Sequence, residues 1–135
     1  MSEYITRGVN HVALTVADLD KTMAFFTEIL GYKKVGEDPG YPAAFVSDET
    51  TMLALWRARD PQQVTPFDRK SVIGLHHLAL TVKPEALDDL AARLKTVPEC
   101  ELEFEPEAMY GGPNRHMMCT IPGSGIRIEF TAPAA

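Results

Sequence analysis

Two histidines occupy equivalent places in a repeated stretch of this sequence. Asn10–Val16 reads NHVALTV, and about half a chain later His76–Val82 reads HHLALTV. In both copies apolar residues alternate with small or polar ones, as in a half-buried strand. His11 and His77 therefore point away from the apolar side. If the two halves pack symmetrically, the two imidazoles come together.

A carboxylate completes the pattern. In the strand predicted over 126–131, Ile126, Ile128 and Phe130 form the apolar face, which leaves Glu129 on the other face. Two imidazoles and one carboxylate suit a divalent cation and leave its other positions open to substrate, water or dioxygen. We expect Fe(II) or Mn(II), with Zn(II), Ni(II) and Co(II) as alternatives. A histidine near a strand end is otherwise an ordinary hydrogen-bonded polar residue.

The elements that position these residues occur in the same order in both halves. In the first half, Asp18 provides an N-cap, a helical apolar period follows it, and Gly31 ends the helix. Strands are predicted over 32–35, 43–46 and 51–56. In the second half, strand 72–82 precedes a helix that begins near Pro84, and strands 101–104, 116–121 and 126–131 follow. Each half is therefore predicted to be a βαβββ module.

These modules place the chain in the α+β class. We predict one domain, 1–135, made of modules at approximately 8–58 and 72–131, with a linker at 59–71 that has lost apolar periodicity. The length and the 45% content of hydrophobic residues are sufficient for a real core.

Charge narrows the choice of partners. The formal net charge is −6 and no basic run is present, which argues against nucleic acid and anionic membranes and favours a small molecule. No apolar run approaches the length of a membrane span, and residues 1–7 lack the apolar segment of a signal peptide. We therefore expect a cytoplasmic protein.

The repeat, the stretch Ala17–Phe26 (ADLDKTMAFF) and the closing PGSG-x-x-IEF motif at 122–130 together resemble the vicinal oxygen chelate superfamily. That group includes glyoxalase I, extradiol dioxygenases, fosfomycin-resistance enzymes, epimerases and bleomycin-binding proteins. The resemblance implies an open, curled mixed sheet with helices on its convex side, a divalent metal on the concave face, and a homodimer. It maps the metal ligands onto His11, His77 and Glu129. A fourth ligand position falls at Leu55, which cannot bind metal and should lie on the concave face.

The missing fourth ligand bears on the reaction. Glyoxalase I and the epimerases use a fourth protein ligand at that position. The three-ligand pattern of this sequence instead resembles that of extradiol dioxygenases and fosfomycin-resistance enzymes. Ring-cleaving dioxygenases carry a catalytic tyrosine where this chain has His116–Cys119. We therefore predict a metal-dependent dioxygenase, lyase or isomerase acting on a small substrate that chelates the metal through vicinal oxygens. The alternative is a non-catalytic binding protein of the bleomycin-resistance type.

Four further residues are weaker candidates. Besides Glu129, the catalytic set includes Arg115, as a clamp for an anionic substrate, and Tyr110, as a gate beside two glycines. Arg115 is equally consistent with a solvated strand end, as is His116, and Tyr110 with a turn. His76 alternates with His77, so it should face the helix side and make a structural hydrogen bond.

Overall fold

The computed structural model describes residues 3–134, and the chain divides between Val64 and Thr65 into two compact units. Each unit contains one four-stranded mixed sheet and one main helix, in βαβββ order. The predicted α+β class with two such modules is confirmed. The single domain and the linker at 59–71 remain predictions, and residues 1, 2 and 135 of that range lie outside the described part of the chain. No helix within residues 3–134 has the length and apolar character needed to cross a bilayer.

The first unit has strand order β1-β4-β3-β2, in which β1 is parallel to β4 and the other pairs are antiparallel. Its elements are β1 (Val12–Val16), α1 (Leu19–Ala24), β2 (Lys33–Asp38), β3 (Ala43–Ser47) and β4 (Met52–Arg57).

Helix α1 and the π-helical segment that continues it begin and end where the sequence predicts. The Asp18 side chain accepts a hydrogen bond from the backbone N–H of Lys21 at 3.0 Å, which satisfies one of the free donors of the first turn. The helix continues as a wider π-helical segment over Phe25–Ile29. Gly31 then adopts a φ of +79°, which glycine reaches without steric cost, and the chain turns into β2.

The second unit has strand order β5-β8-β7-β6, again with the first pair parallel and the others antiparallel. Its elements are β5 (Leu78–Thr81), α2 (Leu87–Leu94), β6 (Glu101–Ala108), β7 (Arg115–Thr120) and β8 (Arg127–Ala132). A 3-10 turn over Pro84–Ala86 leads into α2, and another over Met109–Gly111 precedes β7.

Strand β5 is shorter than the predicted strand 72–82. It lies at the edge of the sheet and hydrogen-bonds only to β8, and the pairing starts at Leu78 opposite Ile128. Because β8 itself begins at Arg127, the residues before His77 have no neighbouring strand, and they form an irregular segment in which Gly74 has a φ of +156°.

Leu55 does not lie where the sequence analysis placed it. In β4 it pairs with Leu14 on one side and Ala44 on the other, it is fully buried, and it shares the apolar face that packs against α1. The predicted strand phase is therefore wrong by one residue. The residue paired with Ala13 is Ala54, which makes Ala54 the counterpart of Glu129 in the second unit. Alanine has no metal-binding group, so a non-ligating residue still occupies that position.

We expect Leu55→Ala to lower the free energy of unfolding by about 2–5 kcal/mol, because it leaves a cavity among fully buried side chains. The matched control is Leu75→Ala, in which the leucine is exposed and the expected change is within about 0.5 kcal/mol. Urea denaturation of both variants measures the difference. Equal small effects would contradict the placement of Leu55 in the core.

Candidate functional site

Strand β8 carries Glu129 at the centre of the second sheet. Glu129 pairs with Ala79 of β5 on one side and with Met118 of β7 on the other. Paired residues in neighbouring strands point to the same face, and that face recurs every second residue. Glu129 therefore shares its face with His77, two residues before Ala79, and with His116, two residues before Met118.

The structure brings these three side chains into contact. The Nε2 atom of His77 lies 3.2 Å from Oε1 of Glu129, and Nδ1 of His116 lies 2.6 Å from Oε2. The carboxylate is thus held on both oxygens by imidazoles. Glu129 is only 6% exposed, although the sequence places it opposite the apolar face of its strand. Burial of a carboxylate is tolerated here because both of its oxygens have partners.

His116 is a site residue that the sequence analysis treated as no more than a strand end. Its short contact with Glu129 is a charge-assisted hydrogen bond of the kind that orients a carboxylate, and its other ring nitrogen lies 3.7 Å from Glu107. The sequence contained the information needed to place His116. The turn at 122–125 joins the last two strands into a hairpin, in which residues equally far from the turn pair with each other. Met118 therefore pairs with Glu129, and His116, two residues before Met118, lies on the same face.

The pair formed by His77 and Glu129 fits a divalent metal ion. At ligand distances of about 2.0–2.2 Å, neighbouring ligands around an ion are separated by about 3 Å, close to the 3.2 Å between these two atoms. Imidazole nitrogen and carboxylate oxygen are also the donors that Fe(II), Mn(II), Co(II) and Zn(II) accept. Within residues 3–134, no three or more His, Cys, Asp or Glu side chains are arranged as a metal site.

His11 lies in the first unit, immediately before β1. Its Nδ1 atom lies 2.7 Å from Oδ1 of Asn10. Its membership of a metal site with His77 and Glu129 remains a prediction from the sequence repeat.

A second group of contacts lies at the Nδ1 atom of His77, on the side of the ring away from Glu129. Nδ1 of His76 lies 2.7 Å from Nδ1 of His77 and 3.2 Å from Nη1 of Arg127. Arg127 is 8% exposed and donates to both oxygens of Glu103, at 2.8 and 3.0 Å. Partial desolvation and the nearby Arg127 guanidinium lower the pKa of His76, which favours its neutral form. The prediction that His76 faces the helix side is wrong, because the backbone before β5 is irregular.

Arg115 and Tyr110 do not belong to the group formed by His77, His116 and Glu129. Arg115 alternates with His116, so it points to the opposite face, where it makes a bidentate ion pair with Asp88 of α2 at 3.0 and 3.1 Å. That pair lowers the pKa of Asp88 and occupies the guanidinium that was predicted to clamp a substrate. Tyr110 is 99% exposed in a turn with a φ of +51°, and so exposed a ring cannot pack against Glu129.

An open hollow of about 490 Å³ adjoins the second group of contacts in the same unit. Arg69, Glu103, Thr120 and Arg127 contribute polar groups to its lining, and Phe67 contributes an aromatic ring. Its volume lies within the range of small-molecule pockets, which is about 300–1,000 Å³.

Comparisons with known proteins agree on one family. A family model described as Glyoxalase/Bleomycin resistance protein/Dioxygenase superfamily matches residues 8–130. One relative is a 2-epi-5-epi-valiolone epimerase from an Actinomyces species, at 31% identity over 78% of this chain and 67% of the epimerase. Another is a catechol-2,3-dioxygenase from Bacillus subtilis, also at 31% identity, over 71% of this chain and 35% of the dioxygenase. The chain therefore spans about two thirds of the first relative and about a third of the second.

Solved structures with the same fold include two informative examples. A glyoxylase/bleomycin resistance protein/dioxygenase domain from Frankia sp. EAN1pec has a TM-score of 0.78 at 25% identity, covering 95% of this chain and 93% of that one. The fosfomycin resistance protein FosX from Listeria monocytogenes, solved as a mutant with Mn(II) and a dihydroxypropylphosphonic acid, has a TM-score of 0.72 at 20% identity, covering 96% and 93%.

We expect Glu103→Gln to destabilise the protein by about 1.5–3 kcal/mol at neutral pH, because it leaves the buried Arg127 charge without its carboxylate. The hydrogen bond from Arg127 lowers the pKa of Glu103. The contribution of the pair is therefore fully present above the ordinary glutamate pKa and is lost as the pH falls through the lowered pKa of the folded state.

Chemical denaturation of the wild type and the variant, at neutral and acidic pH, measures this effect. The matched control is Glu101→Gln on the exposed part of the same strand, for which we expect almost no change. The difference between wild type and Glu103→Gln should shrink on acidification. A difference that grows instead would show that the carboxylate contributes through its neutral form.

Proposed function

This chain belongs to the Glyoxalase/Bleomycin resistance protein/Dioxygenase superfamily, and we propose that it is a metal-dependent enzyme acting on a small substrate that binds a divalent cation through two vicinal oxygens. The observation that supports this most directly is the 3.2 Å approach of His77 Nε2 to Glu129 Oε1 on a polar sheet face. An imidazole nitrogen and a carboxylate oxygen converge there, and both are ligand types that a divalent cation accepts.

The proposed ligands are His77, Glu129 and, from the sequence repeat, His11. Ala54, the counterpart of Glu129 in the first unit, supplies no fourth ligand. Three protein ligands leave room for a bidentate substrate on a six-coordinate ion. We propose Fe(II) or Mn(II) as the native metal, and the Mn(II) in the FosX complex makes Mn(II) the natural first probe.

In this proposal the polar residues of the second unit have different roles. Glu129 contributes negative charge in a desolvated position, and His116 fixes its orientation through the second oxygen. The hollow bordered by Arg69 and Thr120 adjoins Glu103 and Arg127, and it offers space for part of a small substrate. The bound metal would supply Lewis-acid polarisation of the substrate oxygens. Arg115 has a structural role, since Asp88 already occupies its guanidinium.

The reaction class in this proposal stays among dioxygenase, lyase and isomerase. Ala54 counts against the four-ligand pattern implied for glyoxalase I and the epimerases, although one relative is an epimerase. The residues of β7 that share the face of Glu129 are His116, Met118 and Thr120, so the tyrosine implied for ring-cleaving dioxygenases is not among them.

A passive binding protein is the second candidate, because no three His, Cys, Asp or Glu side chains within residues 3–134 are arranged to hold a metal ion. Metal binding distinguishes the metal-dependent enzyme from the passive binding protein.

We expect the wild type to bind one Mn(II) per chain, measured by titration calorimetry and by loss of the free-ion electron paramagnetic resonance signal. In Glu129→Gln the affinity should fall by more than about 100-fold, since even the loss of groups behind a ligand costs about 10–100-fold.

The Glu129→Gln protein should remain folded. The glutamine oxygen can still accept from His116, and its amide can donate to His77 Nε2, so both buried atoms keep partners. Circular dichroism checks the fold, and Glu101→Gln is the control for loss of a remote carboxylate. Absence of Mn(II) binding in the wild type, or unchanged affinity in folded Glu129→Gln, would refute the metal site.

A second experiment tests the mode of substrate binding. We expect acetohydroxamate, a bidentate oxygen chelator, to bind the Mn(II)-loaded wild type and to leave the metal-free protein and Glu129→Gln unoccupied. Calorimetry on the three samples measures this. Equal binding with and without Mn(II) would instead support the passive binding protein.

A further inference from the structure

The hollow next to Arg127 contains charged side chains that the proposed metal site does not use. Its lining has two guanidinium groups and two carboxylates, which belong to Arg69, Arg127, Asp68 and Glu103. Glu103 and Arg127 are paired through two hydrogen bonds, at 2.8 and 3.0 Å. Because these two charges already have partners, what else the hollow can bind depends on Asp68 and Arg69.

Asp68 and Arg69 are adjacent in sequence, but their side chains have different surroundings. One oxygen of Asp68 accepts a hydrogen bond from the backbone N–H of Lys70, and the other accepts from the hydroxyl of Ser71, both at 2.9 Å. The turn that follows Asp68 thus holds both of its oxygens. Within residues 3–134, the guanidinium of Arg69 has no hydrogen-bond or ion-pair partner. Its donors are therefore available to a ligand.

A hydroxyl and an aromatic ring complete the useful part of the lining. The Thr120 hydroxyl, on a half-buried residue of β7, has no hydrogen-bond partner in the described part of the chain. Phe67 contributes a ring that is 36% exposed. A guanidinium presents its donors as a planar fork that matches the two oxygens of a carboxylate. The hollow therefore combines a fork, a further donor and an apolar wall, which together suit an organic carboxylate.

The balance of charge favours a ligand with a single negative charge. In the lining, the two positive charges of Arg69 and Arg127 are matched by the two negative charges of Asp68 and Glu103. A carboxylate brings one negative charge, which Arg69 can pair directly. A phosphate monoester brings about two at neutral pH, and the second would face two carboxylates without a free cation beside it.

The hollow lies on the same sheet face as the proposed metal ligand Glu129. Thr120 of β7 pairs with Arg127 of β8, and Glu129 follows two residues after Arg127. Alternate residues of a strand point to one face and are about 7 Å apart. A small molecule in the hollow can therefore extend along this face toward Glu129.

We propose that this hollow is a subsite for the carboxylate of an organic monoanion. Arg69 binds both carboxylate oxygens, Thr120 adds a hydrogen bond, and Phe67 contacts the apolar part of the ligand. The substrate is then a carboxylic acid whose vicinal oxygens bind the metal while its carboxylate lies in the hollow. That identification of the substrate rests on the proposed function, whereas binding of a carboxylate needs no metal and can be measured on the metal-free protein.

Titration of metal-free, 15N-labelled protein with benzoate, followed by two-dimensional proton–nitrogen NMR, tests the subsite. We expect saturable shifts of the backbone amides that border the hollow, including those of Phe67, Arg69 and Gly125. In Arg69→Gln the affinity should fall by about 10-fold or more, the usual effect of losing hydrogen bonds between charged groups. Lys70→Gln is the matched control. It removes the same charge from the next, exposed residue outside the lining, and it should change the affinity by less than about twofold because exposed charges are screened.

Two further variants test the other groups of the lining. Phe67→Leu should weaken benzoate binding by about 2–10-fold, because an aromatic contact is lost. Thr120→Val keeps a β-branched side chain in β7 and removes only the hydroxyl, and we again expect a loss of about 2–10-fold. Unchanged affinity in both variants would overturn the roles assigned to Phe67 and Thr120.

Two ligands of related shape test the charge of the subsite. Benzamide resembles benzoate without its charge, and we expect it to cause no saturable shifts. Phenyl phosphate should bind more weakly than benzoate. Equal binding of benzamide would overturn the assignment of an anion subsite, and tighter binding of phenyl phosphate would overturn the preference for a single charge.

A linked probe tests whether one substrate can occupy both the hollow and the metal. Adipic acid monohydroxamate has a carboxylate joined to a hydroxamate by a short alkyl chain. On the Mn(II)-loaded wild type we expect calorimetry to show it binding about 10-fold or more tightly than acetohydroxamate, because its second contact is intramolecular. The advantage should disappear in Arg69→Gln. Equal affinities of the two hydroxamates in the wild type would overturn the identification of the substrate as a carboxylic acid.

Failure of the subsite and failure of the metal site give different results. Benzoate binding that depends on Arg69, in a protein that binds no Mn(II), would support the subsite and refute the metal site. Absence of benzoate-induced shifts in the wild type, or unchanged affinity in Arg69→Gln, would overturn the subsite even if Mn(II) binds.

Discussion

A buried carboxylate in the middle of a sheet is the constraint on which the second unit depends. Glu129 lies in β8, between β5 and β7, with 6% of its surface exposed. A charge so far from water is tolerated only if hydrogen-bonding partners replace the solvent. The two neighbouring strands provide them, since His77 precedes β5 and His116 lies in β7. The sheet order therefore determines the polar site as well as the core.

The two faces of β8 show how the strand meets this constraint. Ile128 and Phe130 are buried on the face toward α2, whereas Arg127 and Glu129 are buried on the other. Arg127 has its own compensation, because Glu103 of β6 meets it with two hydrogen bonds. Both charged side chains thus have polar partners on the same sheet face, and the strand can be central without carrying apolar residues on both sides.

Features that depend on local patterns were predictable from the sequence. The N-cap at Asp18, the helix end at Gly31 and the shared face of His77 and Glu129 follow from neighbouring residues and from the two-residue period of strands. Leu55 was misplaced because β4 is buried on both faces, so its burial does not alternate and gives no phase. The partner of Arg115 on α2 could not be predicted, because residues far apart in sequence meet there only after the helix packs on the sheet.

The two units differ in what accompanies their candidate ligand histidines. In the first unit, Asn10 contacts His11, and the counterpart of Arg127 by strand register is Met52, which carries no charge. In the second unit, His76 contacts both His77 and Arg127. The buried guanidinium of Arg127 requires a carboxylate beside it, and Glu103 of β6 provides one. The polar face of the second sheet therefore contains a buried cation and its carboxylate partner, whereas the first sheet has an uncharged methionine at the position of the cation.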